Sequence, residues 1–194
     1  MKKFVLVLAI FLMTTAAYAQ PWNVDTDHSA AHFSIEHMMI AKVRGAFHDL
    51  QGTVTFNDGK PVAIDVVIAV GSLTTGVEKR DEHLESADFF DEKAFPVMRF
   101  VSTSVSPAGY DYYAEGELTI KGVTKVVTFA LSGLDTGIVD PWGNTRRGGK
   151  ATLSIDRRDF DISWNAPLGN SGLLVGNEVE IVVDFEVISP AASK

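Results

Sequence analysis

From Val179 to Val187 every odd position is apolar (Val179, Ile181, Val183, Phe185, Val187), and Glu180, Asp184 and Glu186 stand between them; only Val182 breaks the pattern. A period of two marks an extended strand with one dry and one wet face. In 110–120 the even set Tyr110, Tyr112, Ala114, Gly116, Leu118 and Ile120 opposes Asp111, Tyr113, Glu115, Glu117 and Thr119. In 149–155 Gly149, Ala151, Leu153 and Ile155 alternate with Lys150, Thr152 and Ser154. The pattern predicts eight strands, near 28–37, 43–56, 62–72, 97–106, 110–120, 123–134, 147–157 and 178–189. Lys121-Gly122 suits a tight hairpin turn in which glycine supplies a positive φ. In 43–56 the apolar parity changes from Val43, Gly45 and Phe47 to Leu50, Val54 and Phe56. A strand cannot change faces without an extra residue, so a bulge or sharp bend is expected at His48-Asp49, the alternative being two short strands.

Only 77–87 reads as helix, with Thr74 or Thr75 as its cap. An all-β chain with one short helix points to an eight-stranded antiparallel barrel whose helix covers an open end or fills a crossover. Several dry-face positions are small (Gly45, Ala114, Gly116, Gly149, Ala151), which predicts a roomy interior. The 62–70 stretch places Val62, Ile64, Val66, Ile68 and Val70 on one face and Ala63, Val67 and Ala69 on the other. An apolar outer face of that kind leads one to expect a homodimer or a transient membrane contact.

Composition changes this picture at the N-terminus. Lys2 and Lys3, the apolar run Phe4 to Met13 and Ala17-Tyr18-Ala19 have the grammar of a secretory signal peptide at residues 1–19, with cleavage expected after Ala19. A single domain over 20–194 and a periplasmic location follow as expectations. There is no cysteine, which removes disulfides, thiol catalysis and lipidation at an N-terminal cysteine. The formal net charge is −8, and loss of Lys2 and Lys3 would make it −10. That balance argues against nucleic acid and against docking on anionic lipid.

Candidate chemistry is sparse. His32 and His37 differ in parity and cannot chelate together from one strand, and no HExxH motif or helical histidine pair occurs, so no metal is expected. His37 shares parity with Phe33 and Ile35, so its ring is either a polar tip in the lumen or a satisfied core histidine. Gly169-Asn170-Ser171-Gly172 lacks the strand and helix of a nucleophile elbow. Phe89, Phe90, Phe95 and Phe100 cluster after the helix, where they either line a pocket or plug a barrel end. The expected ligand-binding set is Phe33, Ile35, His37, Val43, Phe47, Phe89, Phe100, Leu118, Ile120, Phe129, Leu153, Ile155 and Val183, with no catalytic residue.

Ordered blocks along the chain resemble the YceI-like family of bacterial periplasmic proteins. They are Trp22-x-Val24-Asp25-x-x-His28-Ser29, Phe33-x-Ile35-x-His37, Val43-x-Gly45-x-Phe47, Arg80 to Leu84, Asp88 to Asp91, Phe95-Pro96 and Phe100-x-Ser102-Thr103. Gly116 to Thr124, Arg157-x-Asp159-Phe160, Trp164-Asn165 and Val175 to Val179 continue the series. The resemblance implies a lipocalin-like barrel that holds a long apolar molecule: a polyisoprenoid, an isoprenoid quinone or a fatty-acid amide. It implies no catalytic residue. One departure is Asp161, where the family often has glycine. The expected role is that of a periplasmic carrier or sequestering protein whose only cofactor-like partner is a bound isoprenoid or isoprenoid quinone. Two alternatives are an enzyme on a lipid-like substrate, using His37 or His83 with a carboxylate, and a packed, stress-protective barrel without ligand.

Overall fold

The computed structural model describes residues 19–169 and 172–189, so the leader-like segment before Ala19, Asn170-Ser171 and the tail from Pro190 lie outside the described residues. The strands are β1 (Gln20–Val24), β2 (Ala30–His37), β3 (Ala41–Phe47), β4 (Leu50–Asn57), β5 (Lys60–Ala69), β6 (Leu73–Thr74), β7 (Val97–Ala108), β8 (Asp111–Ile120), β9 (Val123–Ser132), β10 (Gly137–Val139), β11 (Thr145–Asp156) and β12 (Val175–Ile188). All their pairings are antiparallel. Both β1 and β2 pair with β12, both β4 and β3 continue from them, and β5 and β6 follow, so three staves are strands broken at corners. The ring then runs β5–β7–β8–β9–β11 and returns to β12. The result is a closed antiparallel barrel of eight staves, with β10 as a short flap on β11.

The corners explain the parity changes. The chain bends at His48-Asp49, which leaves β3 and β4 as separate strands of one stave. His48 N donates to Ser72 O at 3.3 Å, and Ala69 N donates to Asp49 O at 3.0 Å, so the bend is pinned to the corner of the next stave. Register also slips where Phe56 faces Pro61 but Thr55 faces Ala63. The extra residue is Val62, which turns outward while Pro61 is buried, contrary to the simple alternation. Asp65 lies on the outer face between Ala63 and Val67, paired to Arg99 at 2.7 Å, and interrupts that apolar strip.

Turns follow backbone chemistry. Lys121 and Gly122, at φ 48° and 75°, both adopt the left-handed region between Ile120 and Val123, the twist a two-residue hairpin needs. Asp161 also sits there, at φ 56° and ψ 26°, closing a 3-10 turn over Arg157–Phe160. A left-handed corner accounts for the glycine expected at this position, and aspartate is among the few side chains that tolerate it.

The helix α1 (Glu78–Glu85) is shorter than expected, and its N-cap, Val77, makes no side-chain cap. Thr75 acts one step removed: its N–H donates to Asp81 Oδ1 at 2.8 Å, and its hydroxyl accepts from Arg80 Nε at 2.7 Å. No residue of α1 is fully buried; Leu84 alone packs onto the core.

Candidate ligand-binding lumen

Inside the staves lies a cavity of about 200 Å³. A single buried water needs only about 10–15 Å³ of such space, so this void suits a chain. Its wall is almost wholly hydrocarbon. Leu131, Phe129, Ala151 and Phe185 line one end, Leu118, Phe100 and Ile181 the middle, and Leu84, Phe90 and Ile162 the end under α1.

Ten of the thirteen residues expected from the sequence line this space: Phe33, Ile35, Phe47, Phe89, Phe100, Leu118, Ile120, Phe129, Ile155 and Val183. His37, Val43 and Leu153 are not in its wall. His37 forms the last pair of the β2–β3 hairpin, opposite Ala41, and Val43 lies near the same end. Leu153 packs against the core instead. The small residues do not make the room in the expected way. The Phe33 ring covers Gly45, the Phe185 ring covers Gly149, and the β7 backbone presses on Gly116, where a Cβ would lie 2.3 Å from Val101 O. Ala31 and Ala151 do border the void.

The two ends are built differently. Away from α1, Trp22 and Phe56 pack with ring centroids 4.9 Å apart. The Arg147 guanidinium lies 5.1 Å and 4.7 Å from those two rings and donates to Leu134 O at 3.1 Å and to Gly59 O. This stopper lies beyond the lining residues. At the other end the Phe47 and Phe90 rings meet edge-on at 5.4 Å, and Phe89, His83 and Trp164 cluster outside them. Phe89 and Phe90 thus both plug the end and line the cavity.

One lining residue is charged and buried. Arg157 is 4% exposed. Its Nε donates to Gly176 O at 2.8 Å, and its Nη1 donates to Ile162 O at 2.7 Å and Trp164 O at 2.9 Å. Burial pulls its pKa below the ordinary arginine value. The sequence reading missed it, although Arg157 continues the inward odd register of Gly149, Ala151, Leu153 and Ile155.

Of the histidines only His32 is among the lining residues, and its half-exposed side chain reaches toward Asp184 at 3.9 Å. His83 pairs with Asp88 at 3.0 Å in a half-exposed contact outside the cavity. Asp25, His28 and Glu186 bring ligand-type atoms within 4.8 Å of one another. Arg146 holds that centre, donating to Asp25, to Glu186 at 3.2 Å and to Asp140 at 2.8 Å. The Asp25-x-x-His28-Ser29 motif is therefore a corner: the Ser29 hydroxyl donates to Asp25 O at 2.7 Å and accepts from Glu186 N at 3.1 Å.

This cluster sets an acid limit. The hydrogen bond from Arg146 holds the Asp140 carboxyl far below the usual carboxylate range. Burial alone would raise Asp25, but hydrogen bonds from Arg146 and His28 outweigh it and lower its pKa. Arg158 lowers Asp156 from 3.8 to about 2. A carboxylate with a depressed folded pKa stabilises the fold above its unfolded pKa, and that contribution disappears as pH falls through the folded one. The thermal midpoint is therefore expected to fall once pH drops below about 3.8. Arg146→Met should make that acid limb shallower in melts recorded across pH; an unchanged slope would separate the cluster from the acid sensitivity.

Fold and cavity together define a closed antiparallel barrel with an apolar lumen. Residues 22–187 match the YceI-like domain, and the chain belongs to the YceI-like family. Protein YceI of Salmonella newport is 37% identical over 193 residues, covering 96% of this chain and 97% of the relative. Among solved structures, Burkholderia cenocepacia BcnA superposes with a TM-score of 0.69 at 26% identity, over 84% of this chain and 98% of that one. A polyisoprenoid binding domain from Saccharophagus degradans shares the fold, with a TM-score of 0.65 at 15% identity, over 88% of this chain and 99% of that one.

Proposed function

We propose that this protein is a periplasmic carrier or sequestering protein that holds a long apolar chain, such as a polyisoprenoid, an isoprenoid quinone or a fatty-acid amide, in its lumen. The observation that carries this reading is the hydrocarbon wall running from Phe129 to Phe90. Apolar burial contributes about 25 cal/mol per Å², so a long chain needs no covalent attachment to be retained. The polyisoprenoid binding described for the Saccharophagus degradans domain supports the same reading. Among the described residues no helix is long and apolar enough to cross a membrane. Neither His37 nor His83, the residues an enzymatic reading would use, lines the cavity, which favours carriage over turnover. Mass spectrometry of protein purified without delipidation should find a long-chain apolar molecule at near-stoichiometric amount. Failure both to find one and to bind added isoprenoid after delipidation would refute the carrier role.

A further inference from the structure

The lumen has one polar feature that its walls leave unanswered. A guanidinium carries five N–H donors. In Arg157 the Nε donor and two from Nη1 go to the carbonyls of Gly176, Ile162 and Trp164, three acceptors that fix the plane of the group. The two remaining donors are on Nη2, which is buried and has no partner among the described residues. Nor does Arg157 make an ion pair among them: the neighbouring Asp156 is engaged by Arg158 at 2.5 Å and acts on Arg157 only through space. A buried N–H without an acceptor costs free energy, and a buried cation without a counter-charge costs more. The other polar lining residues, His32 and Arg99, have half-exposed side chains that face Asp184 and Asp65, so the buried Arg157 group marks where a ligand's polar atom belongs.

We infer that Arg157 is the head-group contact of the lumen: Nη2 donates to a terminal oxygen of the bound chain, and the apolar tail runs toward Phe129 and Phe185. The inference rests on the carrier reading and deepens it by assigning polarity to the cargo. Arg157 sits at the α1 end with Ile162 and Val175, whereas Leu131 and Phe185 line the opposite end before the Arg147 stopper. A chain ending in a carbonyl, amide or carboxylate oxygen satisfies Nη2; a plain hydrocarbon leaves both donors unpaired. An anionic oxygen makes a stronger, charge-assisted hydrogen bond to Nη2, so acids rank above amides.

Three probes of equal chain length separate these effects: oleate, oleamide and 9-octadecene, each displacing a fluorescent apolar dye from delipidated full-length protein. The comparison is the affinity ratio of each oxygen-bearing chain to the hydrocarbon in wild type against Arg157→Met, because the ratio cancels the probes' different hydration. The expected result is that the oleamide ratio falls at least tenfold in the variant, the oleate ratio falls further, and octadecene binding stays within about twofold. Should Arg157→Met not fold by circular dichroism, wild type decides alone: oleate must bind at least as tightly as octadecene even though its head resists leaving water. Ratios that are equal in wild type and variant, or hydrocarbon preferred by wild type, overturn the assignment of Arg157 while leaving the lumen a binding site. If none of the three displaces the dye but a long isoprenoid does, the assignment of Arg157 fails and the carrier reading stands; if the isoprenoid also fails, the carrier reading fails.

Discussion

Replacing Ala151 with phenylalanine is expected to weaken binding of a long apolar chain about a hundredfold while the barrel still folds. Ala151 lies mid-stave on β11, opposite Val183 and Leu131, and its methyl borders the cavity. A phenyl ring there occupies the space of about four methylenes of cargo. At ~0.8 kcal/mol per buried methylene the loss is ~3 kcal/mol, or about two orders of magnitude in Kd. Enlarging a side chain in a close-packed core costs ~1–3 kcal/mol through strain. Here the ring enters the void, so the thermal midpoint should hardly move. Titration and melting of the delipidated variant check both halves. Unchanged affinity would place the cargo outside the barrel.

The opposite pattern is expected of Leu134→Ala. Leu134 is fully buried, at 0% exposure, and is not among the residues lining the cavity. Its side chain packs at the stoppered end, beside Gly149, and its carbonyl accepts from Arg147. Deleting a fully buried leucine side chain costs about 2–5 kcal/mol, the upper part where neighbours cannot collapse. Leu134 lies among closed staves anchored by hydrogen bonds, so a value near 4 kcal/mol is expected, a fall of about 10 °C in Tm for a domain of this size. Binding should be unchanged. Thermal unfolding beside a ligand titration separates this variant from Ala151→Phe; equal damage to both properties would mean the stopper also shapes the cargo site.

The barrel was legible because alternation is a local property. The odd positions of β12 and the even positions of β8 read out one face each without reference to neighbours. What stayed hidden depends on pairing. β1 is five residues long, with a proline at its second position, too short for periodicity to register. Val62 changes face because β4 opposes one residue to two. Glycine in a dry-face position suggested open space, but its effect is set by the partner strand: an aromatic ring fills two such positions and backbone a third. Arg157 shows the reverse. Its inward parity was visible, yet Arg157 is the last residue of the expected 147–157 strand, where a charge gives no local sign that it will be buried.

The Arg147 stopper makes the barrel a cup, not a pipe. Under the proposed carrier role, cargo is not threaded from a donor at one rim to an acceptor at the other; it leaves by the doorway it used, and two guests do not pass. On the same role that doorway is expected at the α1 rim, because the opposite rim is locked by groups from several staves whereas no residue of α1 is fully buried, and local opening costs least where few apolar groups are buried. In that role donor and acceptor take turns at one face of the molecule.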